Sequence, residues 1–254
     1  MISKKYKTNS VKPDMTLGNV VFAAGDLLFD WTAFEVPVGT VELKDLSGYI
    51  MGTDTASQAG ELFGMVFAKS INGVAPTSLG TINTAVSSVN SMQCRNNIIG
   101  YYNVDFGEQA DAVFDEMVSY NLFGSNFSSA TNPNFQGLML EGEPAGATRT
   151  GFQTIYVAGV AEASFNFGTG VLIAGTHSAD DLTIVVDGND ADEVFAVGDV
   201  IYACNASNGS SETANMTVTA VAEELITVSS APAITDDFEV MPRNPICLKF
   251  GFEY

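Results

Sequence analysis

Apolar and polar positions alternate with a period of two along most of this chain, and the clearest stretch runs from Phe195 to Ser230. Val200, Tyr202 and Cys204 share one face of an extended run, and Met216 to Val221 forms a second run rich in β-branched residues. The segment between them, SNGSSETAN, is loop chemistry. Glu223 and Glu224 then separate the second run from Ile226-Thr227-Val228, a spacing that predicts a hairpin with its acidic turn in water.

Upstream, strand-like runs follow one another at Val20–Ala24, Leu27–Phe34, Thr40–Leu46, Tyr49–Met51 and Leu62–Ala68, with turn signals between them such as Gly25-Asp26, Gly48 and Asn72-Gly73. Asn97–Tyr102 continues the series. Gly107–Phe123 carries both periods: Ala110, Val113, Phe114 and Met117 fit a helix, while VFDEMVSYNLF also alternates. After a loop and a short apolar run, EGEPAGATRTG (141–151) replaces the pattern with Pro, Gly and small residues and reads as a domain boundary. Phe152–Val160, Val171–Ala174 and Leu182–Val186 are further strands. Ile246–Tyr254 either closes a second barrel or returns to the first domain, and an aromatic end that needs tying down favours the return. The expectation is all-β: a basic arm over 1–19, a jelly-roll-like β-sandwich over 20–143, and a small β-barrel over 150–254.

Composition supports that picture. A chain of 254 residues can bury a substantial core without metal or disulfide staples. Only 16% of residues are charged, their place taken by Gly, Ser, Thr and Asn, which favours strands joined by neutral turns. The charge is lopsided. Lys4, Lys5, Lys7 and Lys12 precede any acid, and the remainder holds 30 acids against six bases, a net of −24 within an overall −20. Such a body repels nucleic acid and anionic membrane, so neither is an expected partner. The four lysines are the candidate partner-binding residues, set against a solvated terminus. The N-terminal lysines are followed by no apolar run, so no secretory signal is expected, and no segment reaches the length of a membrane span. Folding in the cytosol follows as the expectation.

Chemistry is sparse. Cys94, Cys204 and Cys247 are widely spaced, without zinc or redox spacing, and read as reduced core thiols. His177 lies in a loop-like context near Asp180 and Asp181, with no nucleophile elbow to complete a triad, and reads as an exposed loop histidine. Glu108, Asp111, Asp115 and Glu116 sit near Phe114 and Tyr120, where a sugar could stack, but a glycosidase needs two carboxylates facing across a cleft, and solvated surface acids are the plainer account. Asp187–Glu193 packs four carboxylates into seven residues yet departs from the helix–loop–helix calcium pattern, so an acidic turn is the plainer reading. Trp31, sharing a face with Phe29 and Ala33, reads as a core tryptophan. No catalytic, cofactor or metal site is expected.

Two stretches carry a resemblance. Val197-Gly198-Asp199-Val200-Ile201, a polar loop, then Val218–Val221 and Ile226–Val228 resemble small β-barrels of tailed-phage capsid, decoration and other virion proteins. GDLLFDWTAFEVPVGTVELKDLSGYIMG, followed by FAKSINGVAPTSLGT, is similar to virion structural proteins of marine tailed phages, which are β-rich, acidic and poor in lysine. The resemblance implies a non-enzymatic capsid decoration or cement protein, often a homotrimer, bound to the major capsid protein on the outside of the virion after synthesis in the host cytoplasm. The alternative is a tail- or surface-associated, lectin-like protein that binds host glycan, with Tyr120, Phe127 and Phe135 as its exposed aromatics.

Overall fold

A computed structural model describes residues 4–15, 21–51, 62–105, 110–114, 117–121, 138–144, 151–164, 167, 170–188, 191–207, 213–230, 232–236 and 238–254. In chain order its elements are β1 (Tyr6–Val11), β2 (Leu27–Pro37), β3 (Val41–Met51), β4 (Leu62–Lys69), helix α1 (Ser88–Gln93), β5 (Ile98–Asp105), β6 (Ala110–Phe114), β7 (Met117–Asn121), β8 (Leu138–Leu140), β9 (Glu143–Pro144) and β10 (Phe152–Ala161). They continue as β11 (Val171–Leu172), β12 (Thr183–Val185), helix α2 (Ala191–Val194), β13 (Val200–Asn205), β14 (Met216–Ala222), β15 (Leu225–Val228), β16 (Phe238–Pro242) and β17 (Ile246–Glu253). The fold is all-β, and within the stretch that carried two periods the described residues, Ala110–Phe114 and Met117–Asn121, form the antiparallel pair β6 and β7.

Two antiparallel sheets face each other as a sandwich. One runs β1-β17-β3-β7-β6 with β8 also on β3, and the other β2-β10-β4-β5 with β9 on β10. Strands β1 to β4 alternate between the two sheets, in jelly-roll-like fashion. The core is knit by aromatic rings from three strands. Phe34 of β2 stacks on Phe250 and Phe252 of β17, with centroids 5.1 and 5.9 Å away, and Phe67 of β4 meets Phe250 edge-on at 5.7 Å. Two bulges keep apolar residues inward where strict alternation would turn them out. One lies opposite Gly251/Phe252, so that Leu43 and Leu46, three residues apart, both reach the core. The other lies opposite Val157/Gly159 and does the same for Phe29 and Phe34. A Cβ on Gly159 would overlap the Phe29 ring, so the bulge needs glycine there.

The third sheet closes on itself. Its order is β11-β16-β13-β14-β15-β12, and an Ile173–Val186 bridge joins its two ends, with the Ala174 N–H on the Val185 carbonyl and the Asp187 N–H on the Leu172 carbonyl, both at 2.9 Å. This small barrel is filled by Val171, Ile184, Phe195, Ile201, Met216, Ile226 and their neighbours. The hairpin with Glu223 and Glu224 at its turn joins β14 to β15, with Ala222 opposite Leu225.

Three expectations about organisation are corrected. The boundary over 141–151 does not separate two units, because β10 lies between β2 and β4 in the middle of a sandwich sheet. Pairing across the core outweighs the Pro/Gly composition of the preceding loop, and the barrel is an insertion between β10 and β17. The 1–19 arm is not a free tail over its described part. Tyr6–Val11 alternates and pairs with β17 from Tyr6–Glu253 to Val11–Leu248, and Met15 is fully buried. Trp31 belongs to the outer face of its sheet, where it donates to the Thr77 carbonyl at 2.9 Å and packs on a small satellite cluster with Leu27, Leu79 and Cys94.

Because Phe250 touches rings from both sheets, Phe250→Ala is expected to cost about 3–5 kcal/mol of stability in urea denaturation. Phe250→Leu should cost clearly less. Equal losses would show that the aromatic contacts add nothing beyond volume.

Candidate interaction surface

The barrel's exterior differs from the rest of this acidic chain. Alternation that sends Ile173, Ile184, Val186 and Ile226 inward sends Ala174, Val185 and Leu225 outward. Register aligns them: Val185 pairs with Leu225, Leu225 with Ala222, and Ala174 bonds to Val185. The result is an apolar row across four strands. Beside it Thr183 and Ala220 both pair with Thr227. Leu172, Val185 and Leu225 are 44, 43 and 42% exposed, although each is large and apolar. Neither row contains a charge. Acids stand at the two ends of these rows instead: Glu223, Glu224 and Asp187 are exposed at one, and Asp180, Asp181 and Asp236 at the other. An uncharged, β-branched wall of this kind is suited to burial against another protein surface.

Behind the opposite side of the barrel lies the joint with the sandwich. Strands β13 and β16 are buried on both faces. Ile201, Ala203 and Val240 fill the barrel, while Tyr202, Cys204 and Met241 join the sandwich core. Arg243 locks the edge of this joint, its guanidinium 5.4 Å from the Tyr202 ring centroid and its Nε 2.7 Å from Asp14 Oδ1. Glu239 lies within the joint and is 1% exposed. Its Oε2 accepts the Gly170 N–H at 2.8 Å, and Cys204 Sγ lies 3.9 Å from Oε1. Burial pushes this carboxyl above the ordinary range, against the smaller opposing effects of those two donors. A Cβ on Gly170 would come within 2.5 Å of Met241 Sδ, so glycine lets that backbone reach the carboxylate.

The four candidate lysines do not form one basic patch. Lys4 Nζ pairs with Glu253 Oε1 at 2.5 Å, Lys7 Nζ lies 4.4 Å from the Phe152 ring centroid, and Lys5 exchanges both backbone hydrogen bonds with Tyr254. Lys12 interacts with Tyr49, which in turn interacts with Cys247. Desolvation is the largest influence on the Lys12 ammonium and lowers its pKa. The combined pull of Tyr49, Cys247 and Asp199 outweighs it, and the net shift is upward. Lys12 also borders a cavity of about 70 Å³ with Asp199 and Asn244.

His177 is not the exposed loop residue that its neighbours in sequence implied. It is 6% exposed, its backbone exchanges both hydrogen bonds with Ile234, and Nδ1 sits 3.1 Å from the Pro232 carbonyl oxygen. Neither nearby acid orients it as a base: Asp181 instead accepts the Thr183 N–H. The three cysteines are buried, and none is joined to another in a disulfide. Another polar cluster joins Tyr101, Asn103 and Glu162. The Tyr101 hydroxyl donates to Glu162, the Asn103 amide donates to it at 2.6 Å, and burial first and Glu162 second push the phenol upward. That places the Glu162 carboxylate between two donors, a phenol and an amide. Glu108, Asp115, Glu116, Phe127 and Phe135 lie outside the described residues, as do Asn189 and Asp190 of the acidic loop; the side chains of Asp111, Phe114 and Tyr120 are likewise not described. Among the described residues no three His, Cys, Asp or Glu side chains come together as metal ligands, and no helix is long and apolar enough to cross a membrane.

The sequence pattern placed the β14–β15 hairpin and its acidic turn but not the wall. The signal was there in part: Ala222, Leu225 and Val185 break the polar half of the alternation on strands whose other half is fully apolar.

No family model matches the chain, and no curated protein matches it. Two solved structures align over 98% of its length. The infectious bursal disease virus VP2 subviral particle does so at 9% identity and a TM-score of 0.21, with the chain spanning 41% of that protein. The Macrobrachium rosenbergii nodavirus does so at 10% identity and 0.20, over 84% of its chain. Likenesses this faint carry no argument about fold or function.

The joint makes a pH prediction. A buried carboxyl with a raised pKa holds its proton longer in the folded than in the unfolded chain. Stability is therefore fullest below the ordinary carboxylate value and declines as pH rises from there through the raised value. Glu239→Gln should flatten that decline and stabilise the protein at neutral pH, as read from melting temperatures across acid to neutral buffers. A variant with an unchanged pH profile would show that Glu239 does not set it.

Proposed function

We propose that this chain is a structural protein of a virion, and more finely a capsid decoration or cement protein that coats the major capsid protein lattice of a tailed phage. The observation that carries the reading is the uncharged outer wall of the barrel on a chain of net charge −20. Exposed apolar residues gathered into one contiguous, uncharged patch mark interaction surfaces, and a cementing subunit needs such a face for burial against coat subunits or its own copies. The rigid sandwich supports the role by holding the barrel at a fixed angle through the shared core.

Cementing works by number. Each copy adds a modest burial free energy, and many copies on a symmetric shell together resist internal pressure. Trimers around a local axis fit that arrangement. The N-terminal lysines contribute less than a free basic arm would. Lys4 and Lys5 at the sandwich edge can still face an acidic coat surface and add an attraction that salt screens. Removing residues 1–12 would delete a strand of the sandwich, so lysine substitution is the cleaner probe of that contribution. The alternative, a glycan-binding tail protein, rests on aromatics whose side chains are not described.

Quantitative mass spectrometry of purified viral particles from the source of this sequence tests the reading. A copy number equal to that of the major coat protein, or a simple fraction of it, is expected. A handful of copies per particle would move the protein to the tail, and complete absence would overturn the virion assignment.

A further inference from the structure

We infer that the barrel wall docks head-to-tail on helix α1 of a second copy of this chain. The inference rests on the virion reading only in expecting many copies side by side, and it can fail without it. Two exposed apolar features stand at separate places on the molecule. One is the wall. The other is the face of α1 where Val89 and Met92, three residues apart and therefore neighbours on the helix surface, are 63 and 58% exposed. With Arg95 and Asn96 they line an open depression of about 650 Å³. The helix ends there by plain means: Ser87 caps its start by accepting the Asn90 N–H, and none of its own residues is buried. Its apolar side chains are thus turned outward, while the residues that flank it, Val86 and Cys94, are anchored in the satellite cluster.

Charge decides which surfaces meet. If two walls met face to face in either orientation, the acids at the ends of one wall, Glu223, Glu224 and Asp187 at one and Asp180, Asp181 and Asp236 at the other, would confront acids of the second copy, on chains that already repel. The α1 depression has no acid in its lining and carries Arg95. Wall against α1 therefore brings an acidic rim towards a cation and an apolar ridge towards an apolar hollow. Shape agrees with charge. The Val185–Leu225 row stands out from a sheet four strands wide there, about 15 Å across at the usual ~4.8 Å strand spacing. Two rows of that width cover on the order of 200 Å², well under the roughly 800 Å² per partner of a stable isolated complex, so the pair is weak alone and gains its strength in an array. A contact between two different surfaces is not self-completing: each bound copy leaves one of each surface open, and the assembly either closes as a ring or grows.

Sedimentation velocity on the purified full chain tests this without any virion. The wild type should associate as its concentration rises. Val185→Glu on the wall and Met92→Glu on α1 should each weaken association about ten-fold or more. An equimolar mixture of the two variants should form one-to-one pairs and nothing larger, because each supplies the surface that the other lacks. Arg95→Glu should weaken association, and Glu223→Lys with Glu224→Lys in the same chain should restore it. Circular dichroism melts check that the variants are folded, and Leu225→Thr replaces Val185→Glu if the latter is not. A wild type that stays monomeric at its solubility limit, single variants that associate like the wild type, or a mixture that stays monomeric would each overturn the contact. Copy number in the particle does not enter any of these outcomes.

Discussion

Everything in this molecule hangs on two strands that have no outside. Strands β13 and β16 give one face to the barrel and the other to the sandwich, so the insertion is not a bead on a string but a second core sharing a wall with the first. That constraint explains their composition. IYAC and the Val240–Met241 pair are apolar on both faces, as a strand buried on both sides has to be. It also explains why the carboxyl of Glu239 is so costly a neighbour, and why a glycine at 170 is needed to bring it a backbone donor. The return of the chain as β17, between β1 and β3, then ties the exit of the insertion into the centre of a sandwich sheet.

Much of this was legible from alternation alone, because period two survives any tertiary arrangement. The β14–β15 hairpin, the all-β character, the small barrel and the return of the C-terminal strand could be read directly. The organisation was less legible where local chemistry and long-range pairing disagree. EGEPAGATRTG looks like a linker by composition, yet its own Glu143–Pro144 forms β9 and pairs with β10 just beyond it. Lys4 to Lys12 look like a tail by charge, yet a polar strand with Lys7, Asn9 and Val11 turned inward is what an edge position tolerates. His177 looked exposed because its sequence neighbours are polar; its burial comes from Ile234, 57 residues away. Trp31 changed faces because of the bulge opposite Gly159, which no local signal announces.

The wall was hidden for a different reason. An outward apolar residue is indistinguishable in sequence from an inward one until the register is known, and only the pairing of Val185 with Leu225 and of Leu225 with Ala222 shows that they lie together. Once assembled, the surface shows how charge is partitioned. The acids around the wall are kept off these two rows and stand at their ends.

The central claim is that the barrel's outer wall is the face through which this protein works. Hydroxyl-radical footprinting read by mass spectrometry, on the free chain and on the chain within assembled particles, tests it most directly. The account predicts that Leu172, Val185 and Leu225 lose most of their reactivity on assembly while exposed residues of the sandwich such as Tyr6 change less. Wall residues that react equally in both states would contradict it.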